Sequence, residues 1–537
     1  MSTFIKTFLE KDRQINIFDV LITIFGFTLV RTFVENFSNP EPAGFFTQPY
    51  SVFFEYLLFY TSTFLLLLIV LSYFTKLPIK KTTGISIFFL PIVSIPPIID
   101  LLVTHGSGYC MTYIIQEPGK LLIDFLTFFG RFYDCGITTG IRIEILIICI
   151  SAFILIFYTT KKLIRSLLGT LASYIVIFFN LSFPSLIMAP FYISDPSINK
   201  VFFFSKLFKT SLLNSIHTFG LIPSDPYVFF AQQSSIFTAR FLWVSIIIEL
   251  LIIFYFSYRP IWNAWVKNLR PERVLYYFYI AMLGIFISKG VNGVIPNITL
   301  PDIFSFIIFF ALIALSWWLA VIVNDIEDIA IDKISNKERP LITGEITLAQ
   351  FKIIGFILLI LILTGAPLLN YPVFVFLILF QIVYYFYSKD PLRLKRWFFF
   401  ASPALALNAL LIAMAGFFLV SANQKFLAFP TENIWFILIG FSIFTNIKDF
   451  KDTEGDKKEN IRTLPVLFGQ ENAKKIMTAL VASFLLVFSF YKQNDYLLVF
   501  SVFFSILFYL LTRRKVFREI YFFYLFFLYL IVVMITL

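Results

Sequence analysis

The chain has 537 residues, 59% of them hydrophobic and only 14% charged, with a mean hydropathy of +0.86, which places it among polytopic membrane proteins and excludes a soluble core of this size. A formal net charge of +11 would suit nucleic acid in a soluble protein, but here lysines and arginines fall in short loops on alternate sides of apolar runs, as orientation signals do, and nucleic-acid binding is set aside. Cys110, Cys135 and Cys149 lack paired metal spacing, and with two lone histidines they cannot supply a usual zinc site, so they read as inert thiols.

The N-terminus, MSTFIKTFLEKDRQINIFDV, carries charges of both signs before its first apolar run and has no small-residue cleavage site. It reads as a retained first helix rather than a signal peptide. Residues 1–258 form an N-terminal module with six expected spans, near 16–36, 51–74, 84–103, 141–159, 166–187 and 233–257. Lys6, Lys11 and Arg13 precede the first span, Lys76, Lys80 and Lys81 follow the second, Lys161, Lys162 and Arg165 follow the fourth, and Arg259 follows the sixth. That bracketing puts both ends of the module in the cytoplasm. Two shorter apolar pieces, around 120–130 and 201–213, suit re-entrant or interfacial segments. Arg142 and Glu144 in TTGIRIEILII lie near a span end and off a common helix face, which favours snorkelling over a site. Asp100 and His105, among turn-formers at another span end, read as satisfied interfacial residues.

Residues 259–273, RPIWNAWVKNLRPER, are an amphipathic basic linker, and a second module of nine expected spans occupies 274–537. These lie near 274–290, 302–323, 351–366, 371–387, 398–420, 432–447, 473–490, 495–511 and 519–536, so the expected fold is all-α with about 15 transmembrane helices. The loops after spans two, four, six and eight of this module hold nearly all its positive charge, and both acidic clusters described next fall on that same, cytoplasmic side.

The first cluster follows the second span of the module, where NDIEDIAIDKISNKERPLITG places Asp325, Asp328 and Asp332 at i, i+3 and i+7 behind Asn324. At about 100° per residue, one uninterrupted helix would carry these three carboxylates within an arc of about 60°. DFKDTEGDKKENIRTLPVLFG repeats the spacing with Asp449, Asp452 and Asp456. Six carboxylates beside a membrane repel one another by several kcal/mol unless a counter-charge is supplied. Oxygen-only donors without His or Cys favour magnesium, which keeps open positions for phosphate oxygens. Arg339, Lys389, Arg393 and Arg462 lie in the same loops and suit an anionic, diphosphate-bearing substrate.

These motifs resemble those of the UbiA superfamily of intramembrane prenyltransferases. NDIEDIAID is similar to the family's NDxxDxxxD motif, DFKDTEGD to its second aspartate-rich motif, and Tyr385 with Lys389 to its YxxxK element; the resemblance covers about residues 260–537 and leaves the first half without a family. It implies a nine-helix bundle with a central cavity, in which two magnesium ions hold a prenyl diphosphate. Asn324, Asp325, Asp328 and Asp332 would bind one ion, and Asp449, Asp452 and Asp456 the other. Arg339, Lys389, Arg393 and Arg462, with Asn324, would meet the diphosphate, and Tyr385 would lie near the breaking C–O bond. Asp328, Asp452, Tyr385 and Lys389 are the expected catalytic residues. A dry, aromatic cavity would protect the allylic cation. The motif spacing is closest to the digeranylgeranylglyceryl-phosphate and chlorophyll synthase branches, so the expected partners are a prenyl diphosphate donor, a lipophilic acceptor (a prenyl-lipid, quinone precursor or other aromatic) and membrane lipid. The rival reading is a transporter or membrane scaffold whose second half is a retired enzyme.

Overall fold

A computed structural model describes residues 15–37, 49–106, 120–129, 137–194, 226–293, 298–421, 423, 425–458, 461–514 and 518–536. Among them there is no strand, and 14 helices are long and apolar enough to cross a membrane. The described residues divide into two compact units, one within residues 15–259 and the other within residues 260–536.

The first unit contains α1 (Ile17–Phe37), α2 (Pro49–Thr75), α3 (Ile79–Ser86), α4 (Ile95–Val103), α5 (Leu121–Leu126), α6 (Thr139–Thr160), α7 (Leu163–Ser194) and α8 (Pro226–Ser257). Pro91, Pro96 and Pro97 remove backbone donors from the third span, and a 3-10 segment, Ile87–Ser94, joins α3 to α4 there. The short apolar piece near 120–130 contains α5; the piece at 201–213 lies outside the described residues, as do Cys110 and Cys135.

Charge is buried inside this unit. The Arg31 guanidinium donates to the Val93 carbonyl at 2.9 Å and lies 3.8 Å from both Glu35 and Glu144, with Tyr56 and Tyr60 rings beside it. Glu144, expected to snorkel, is therefore turned inward and held by a buried partner, because an arginine on another span compensates it. Its neighbour Arg142 donates to the Phe129 carbonyl at 3.1 Å. Asp100 accepts from the Gly140 amide at 2.7 Å, and His105 is exposed.

The second unit runs α9 (Arg259–Lys267), α10 (Pro271–Asn292), α11 (Leu300–Glu327), α12 (Ile329–Ser335), α13 (Pro340–Thr343), α14 (Leu348–Gly365), α15 (Tyr371–Ser388), α16 (Phe398–Val420), α17 (Thr431–Phe444), α18 (Asp449–Lys458), α19 (Leu464–Phe468), α20 (Gln470–Lys492), α21 (Asp495–Thr512) and α22 (Glu519–Thr536). Eight of the nine expected spans are helices of spanning length; the one expected at 432–447 is the 14-residue α17 continued by a 3-10 turn, Thr445–Lys448, into the acidic helix α18. Caps explain several ends. Thr299 and Asp302 form a capping box before α11, Pro271 opens α10, and Gly293 closes α10 in the left-handed region.

Helix α16 is the centre of this unit, with Ala406, Ala409, Ile412, Ala413 and Phe417 fully enclosed. It meets α10 through reciprocal small residues. A Cβ added to Gly284 would stand 1.9 Å from the Ala413 carbonyl oxygen, and one added to Gly416 would stand 2.2 Å from that of Ala281. Backbones this close are the small-xxx-small mode of membrane helix packing, in which shape rather than hydrophobicity holds the pair.

Candidate active site in the second unit

Helix α11 does not continue through the first acidic cluster. It ends at Glu327, Asp328 takes φ −102° and ψ 15°, and α12 begins at Ile329. The single helical face expected for Asp325, Asp328 and Asp332 is therefore broken at its middle member. The break separates their partners: Asp325 and Asp332 both receive Arg339, whereas Asp328 receives Arg393 at 3.1 Å and also pairs with Lys395.

Asp325 is only 2% exposed and fully engaged. Arg270 Nη2 donates to both of its oxygens at 2.9 Å, Arg339 Nη1 to Oδ1 at 2.9 Å, and Asn268 Nδ2 to Oδ2 at 2.9 Å. Residues 268–270 come from the stretch expected to be a linker. They are held against α11, because Trp318 Nε1 donates to the Leu269 carbonyl at 3.1 Å and Trp265 packs edge-on against Trp318 with ring centroids 5.3 Å apart. Asn324 Oδ1 accepts from Ser388 and Lys395, each at 3.2 Å. Burial pushes the Asp332 carboxyl up to about 6 while Arg339 opposes the rise. Burial likewise lowers the Lys395 ammonium pKa, against the pull of Asp328.

Several of these groups border a cavity that is partly open to solvent. Asn324, Asp328, Asp332 and Asp449 line it with Arg270, Arg273, Arg339, Lys395 and Lys448. Aromatic side chains supply much of the remaining wall, including Tyr276, Tyr277, Trp317, Tyr384, Tyr387 and Phe522. Lys448 donates to the Tyr387 hydroxyl at 2.7 Å, and the Tyr277 and Tyr384 hydroxyls share a hydrogen bond of 2.7 Å.

The expected residues divide accordingly. Asn324, Asp328, Asp332, Asp449 and Arg339 come together at the cavity. Arg393 reaches it only through Asp328, Arg462 is exposed, and Asp325 is turned to its basic partners. Asp452 and Asp456 lie on α18, but their side chains are outside the described residues. Tyr385 and Lys389 are not among the residues that line the cavity. Tyr385 is 44% exposed on the outer face of α15, with Lys389 over its ring and 3.9 Å from Glu327. The inward face of α15 carries Val373, Phe376, Leu377, Phe380, Tyr384 and Tyr387. That helical stripe is legible in the sequence and marks Tyr384 and Tyr387, not Tyr385, as inward. The cavity lysine from this loop is Lys395, six residues beyond Lys389 and 6% exposed. Lys448 had a signal too, as the neighbour of Asp449; Asn268 and Arg270 had none.

The donor set suits magnesium. Hard oxygens from Asn324, Asp328, Asp332 and Asp449 line one cavity, and among the described residues no group of three or more carboxylates, histidines or cysteines is placed to hold a metal ion by itself. A magnesium ion held by one or two carboxylates and completed by substrate phosphates needs no such group.

Residues 294–531 match the UbiA prenyltransferase family. The digeranylgeranylglyceryl phosphate synthase of Methanocaldococcus jannaschii is 30% identical over 207 residues, 37% of this chain and 70% of that enzyme. The enzymes of the same name from Sulfurisphaera tokodaii and Methanococcus aeolicus are each 29% identical, over 33% and 30% of this chain; the match spans 64% and 56% of their own lengths. Among solved structures, a UbiA homolog from Archaeoglobus fulgidus bound to DMAPP and Mg2+ is similar at 20% identity, covering 51% of this chain and 99% of that one with a TM-score of 0.39.

Proposed function

The chain belongs to the UbiA prenyltransferase family, and from that membership we propose that its second unit transfers a prenyl chain from a prenyl diphosphate to a lipophilic acceptor within the membrane. The observation that carries the reading is the shared wall of one cavity, where hard oxygen donors (Asn324, Asp328, Asp332, Asp449) stand beside cations (Arg339, Lys395, Lys448) and the rest is largely aromatic. Such a wall binds a charged diphosphate at one part and a greasy chain at another.

Asn324, Asp328 and Asp332 would hold one magnesium ion and Asp449, Asp452 and Asp456 a second. When bound, the metal neutralises charge on the departing diphosphate. Arg339 and Lys395 orient the diphosphate oxygens, and Asp325 holds Arg339 in place. In the transfer, the prenyl C1–O bond breaks with its electron pair leaving on the diphosphate. A lone pair on the acceptor oxygen forms the new C–O bond, and the acceptor's proton passes to the released diphosphate. The aromatic faces of Tyr277 and Tyr384 exclude water from the allylic centre and favour its developing positive charge.

The relatives' name describes a glyceryl phosphate carrying two geranylgeranyl chains. Making it by one transfer requires a glycerol phosphate that already bears one prenyl ether, and this is the acceptor class we assign. Basic loops flanking the motifs support a cytoplasmic mouth for the cavity. The test is turnover of labelled geranylgeranyl diphosphate with monoprenylglycerol phosphate by the full chain in membranes, with and without magnesium. A metal-dependent product that Asp328→Ala and Asp449→Ala abolish is expected. A wild-type chain that makes no metal-dependent product would favour the transporter or scaffold reading.

A further inference from the structure

Three residues that line the cavity each carry a buried polar atom with no hydrogen bond within the described residues: Tyr276 at Oη, Trp317 at Nε1 and Thr463 at Oγ1. Thr463 lies just before α19, in the segment that follows the second acidic helix. The other two are set in the aromatic part. Tyr276 is 7% exposed and wedged among Phe441, Phe523 and Phe526, with ring centroids 5.7 to 6.1 Å away. Trp317 packs on Tyr277 at 5.4 Å, and Tyr277 in turn lies 5.0 Å from Tyr276, so Tyr277 stands between them. The neighbouring phenols are not in this position, because Tyr277 and Tyr384 satisfy each other and Tyr387 is bonded by Lys448. Trp318, next in the chain, donates to Leu269.

An O–H and an N–H left bare in an aromatic wall are costly unless a ligand accepts from them. The donor substrate cannot do so: its tail presents only C–H bonds, and its diphosphate belongs with the cations and carboxylates. Resting on the function proposed above, we infer that Tyr276 and Trp317 form the acceptor subsite, donating hydrogen bonds to neutral oxygens of the second substrate, such as an ether or carbonyl. These two residues then select oxygen-bearing acceptors over plain hydrocarbon amphiphiles, and they act on binding and orientation rather than on the breaking bond.

The experiment uses the full chain in membranes with labelled geranylgeranyl diphosphate, magnesium, and two acceptors: monoprenylglycerol phosphate, and its analogue with the ether oxygen replaced by methylene. Tyr276→Phe and Trp317→Phe each keep an aromatic ring and delete one donor. Each is expected to raise KM for the ether acceptor about fivefold, the worth of one neutral hydrogen bond, with KM for the diphosphate and the magnesium requirement unchanged. With the methylene analogue, wild type should show the raised KM already and at least one substitution should add nothing further. Equal KM for both acceptors on the wild-type chain overturns the inference, whether or not the variants accumulate, as do variants whose acceptor KM matches wild type. A wild-type chain that turns over neither acceptor overturns the transferase reading itself.

Discussion

Replacing Lys395 by alanine separates the structure's account of the site from the one based on the motif alone. The Lys395 ammonium is buried, pairs with Asp328 and donates to Asn324 Oδ1 at 3.2 Å, whereas the Lys389 side chain is 44% exposed and lies 3.9 Å from Glu327. A buried charge-assisted contact is worth about 1.5–3 kcal/mol, and each 1.36 kcal/mol is about tenfold in rate. Lys395→Ala should therefore lower kcat/KM for the prenyl diphosphate by about 10- to 150-fold. The exposed Lys389 contact is worth at most about 1 kcal/mol, so Lys389→Ala should cost no more than about fivefold. Initial rates with labelled geranylgeranyl diphosphate at saturating magnesium and acceptor, normalised to folded protein by size-exclusion profile, give the comparison. If Lys389→Ala falls as far as Lys395→Ala, the assignment of the cavity lysine is wrong.

Asp325→Asn should raise KM for the diphosphate about tenfold by loosening Arg339 and Arg270 while leaving the half-saturating magnesium concentration within about twofold; Asp328→Asn should instead raise that concentration at least about tenfold. Magnesium titrations of the two variants decide between an anchoring and a ligating aspartate. In the first unit, Arg31→Leu leaves Glu35 and Glu144 uncompensated, at a cost of about 3–5 kcal/mol, and should lower the thermal midpoint in detergent. Part of the loss should return in the double variant with Glu144→Leu, and an unchanged midpoint for Arg31→Leu would dispose of the buried ion network. Gly284→Ala should destabilise by about 1–3 kcal/mol, because the added methyl meets the Ala413 carbonyl oxygen rather than a movable side chain; wild-type stability in that variant would mean the two helices are not in backbone contact.

Hydropathy made the helical architecture legible, since a run of some 20 apolar residues has few alternatives in a bilayer. It failed at the 432–447 span, where an apolar run flows without a stop signal into the acidic segment, so that the 14-residue α17 passes through a 3-10 turn into α18. Within the site, Asn324, Asp328, Asp332, Asp449 and Arg339 could be found from motif spacing because chain neighbours are also neighbours at the cavity. Regular helical geometry misled where the chain departs from it. The break at Asp328 redistributes the three carboxylates, and the turn after α15 carries Lys395 rather than Lys389 to Asp328. The buried Arg31–Glu144 pair was invisible because one hundred and thirteen positions of sequence, by number, separate its partners.

The stretch from 268 to 270 holds Asp325 from a position upstream of residue 294, where the match to the family model begins. The bounds of that match are thus not the bounds of the folded unit. A fragment trimmed to 294–531 would lack Asn268, Arg270, Tyr276 and Tyr277 together, and would leave Asp325 as a buried anion with Arg339 as its remaining guanidinium. Any excised or transplanted version of this unit has to start no later than Arg259, ahead of the tryptophan-pinned helix that keeps that turn in place.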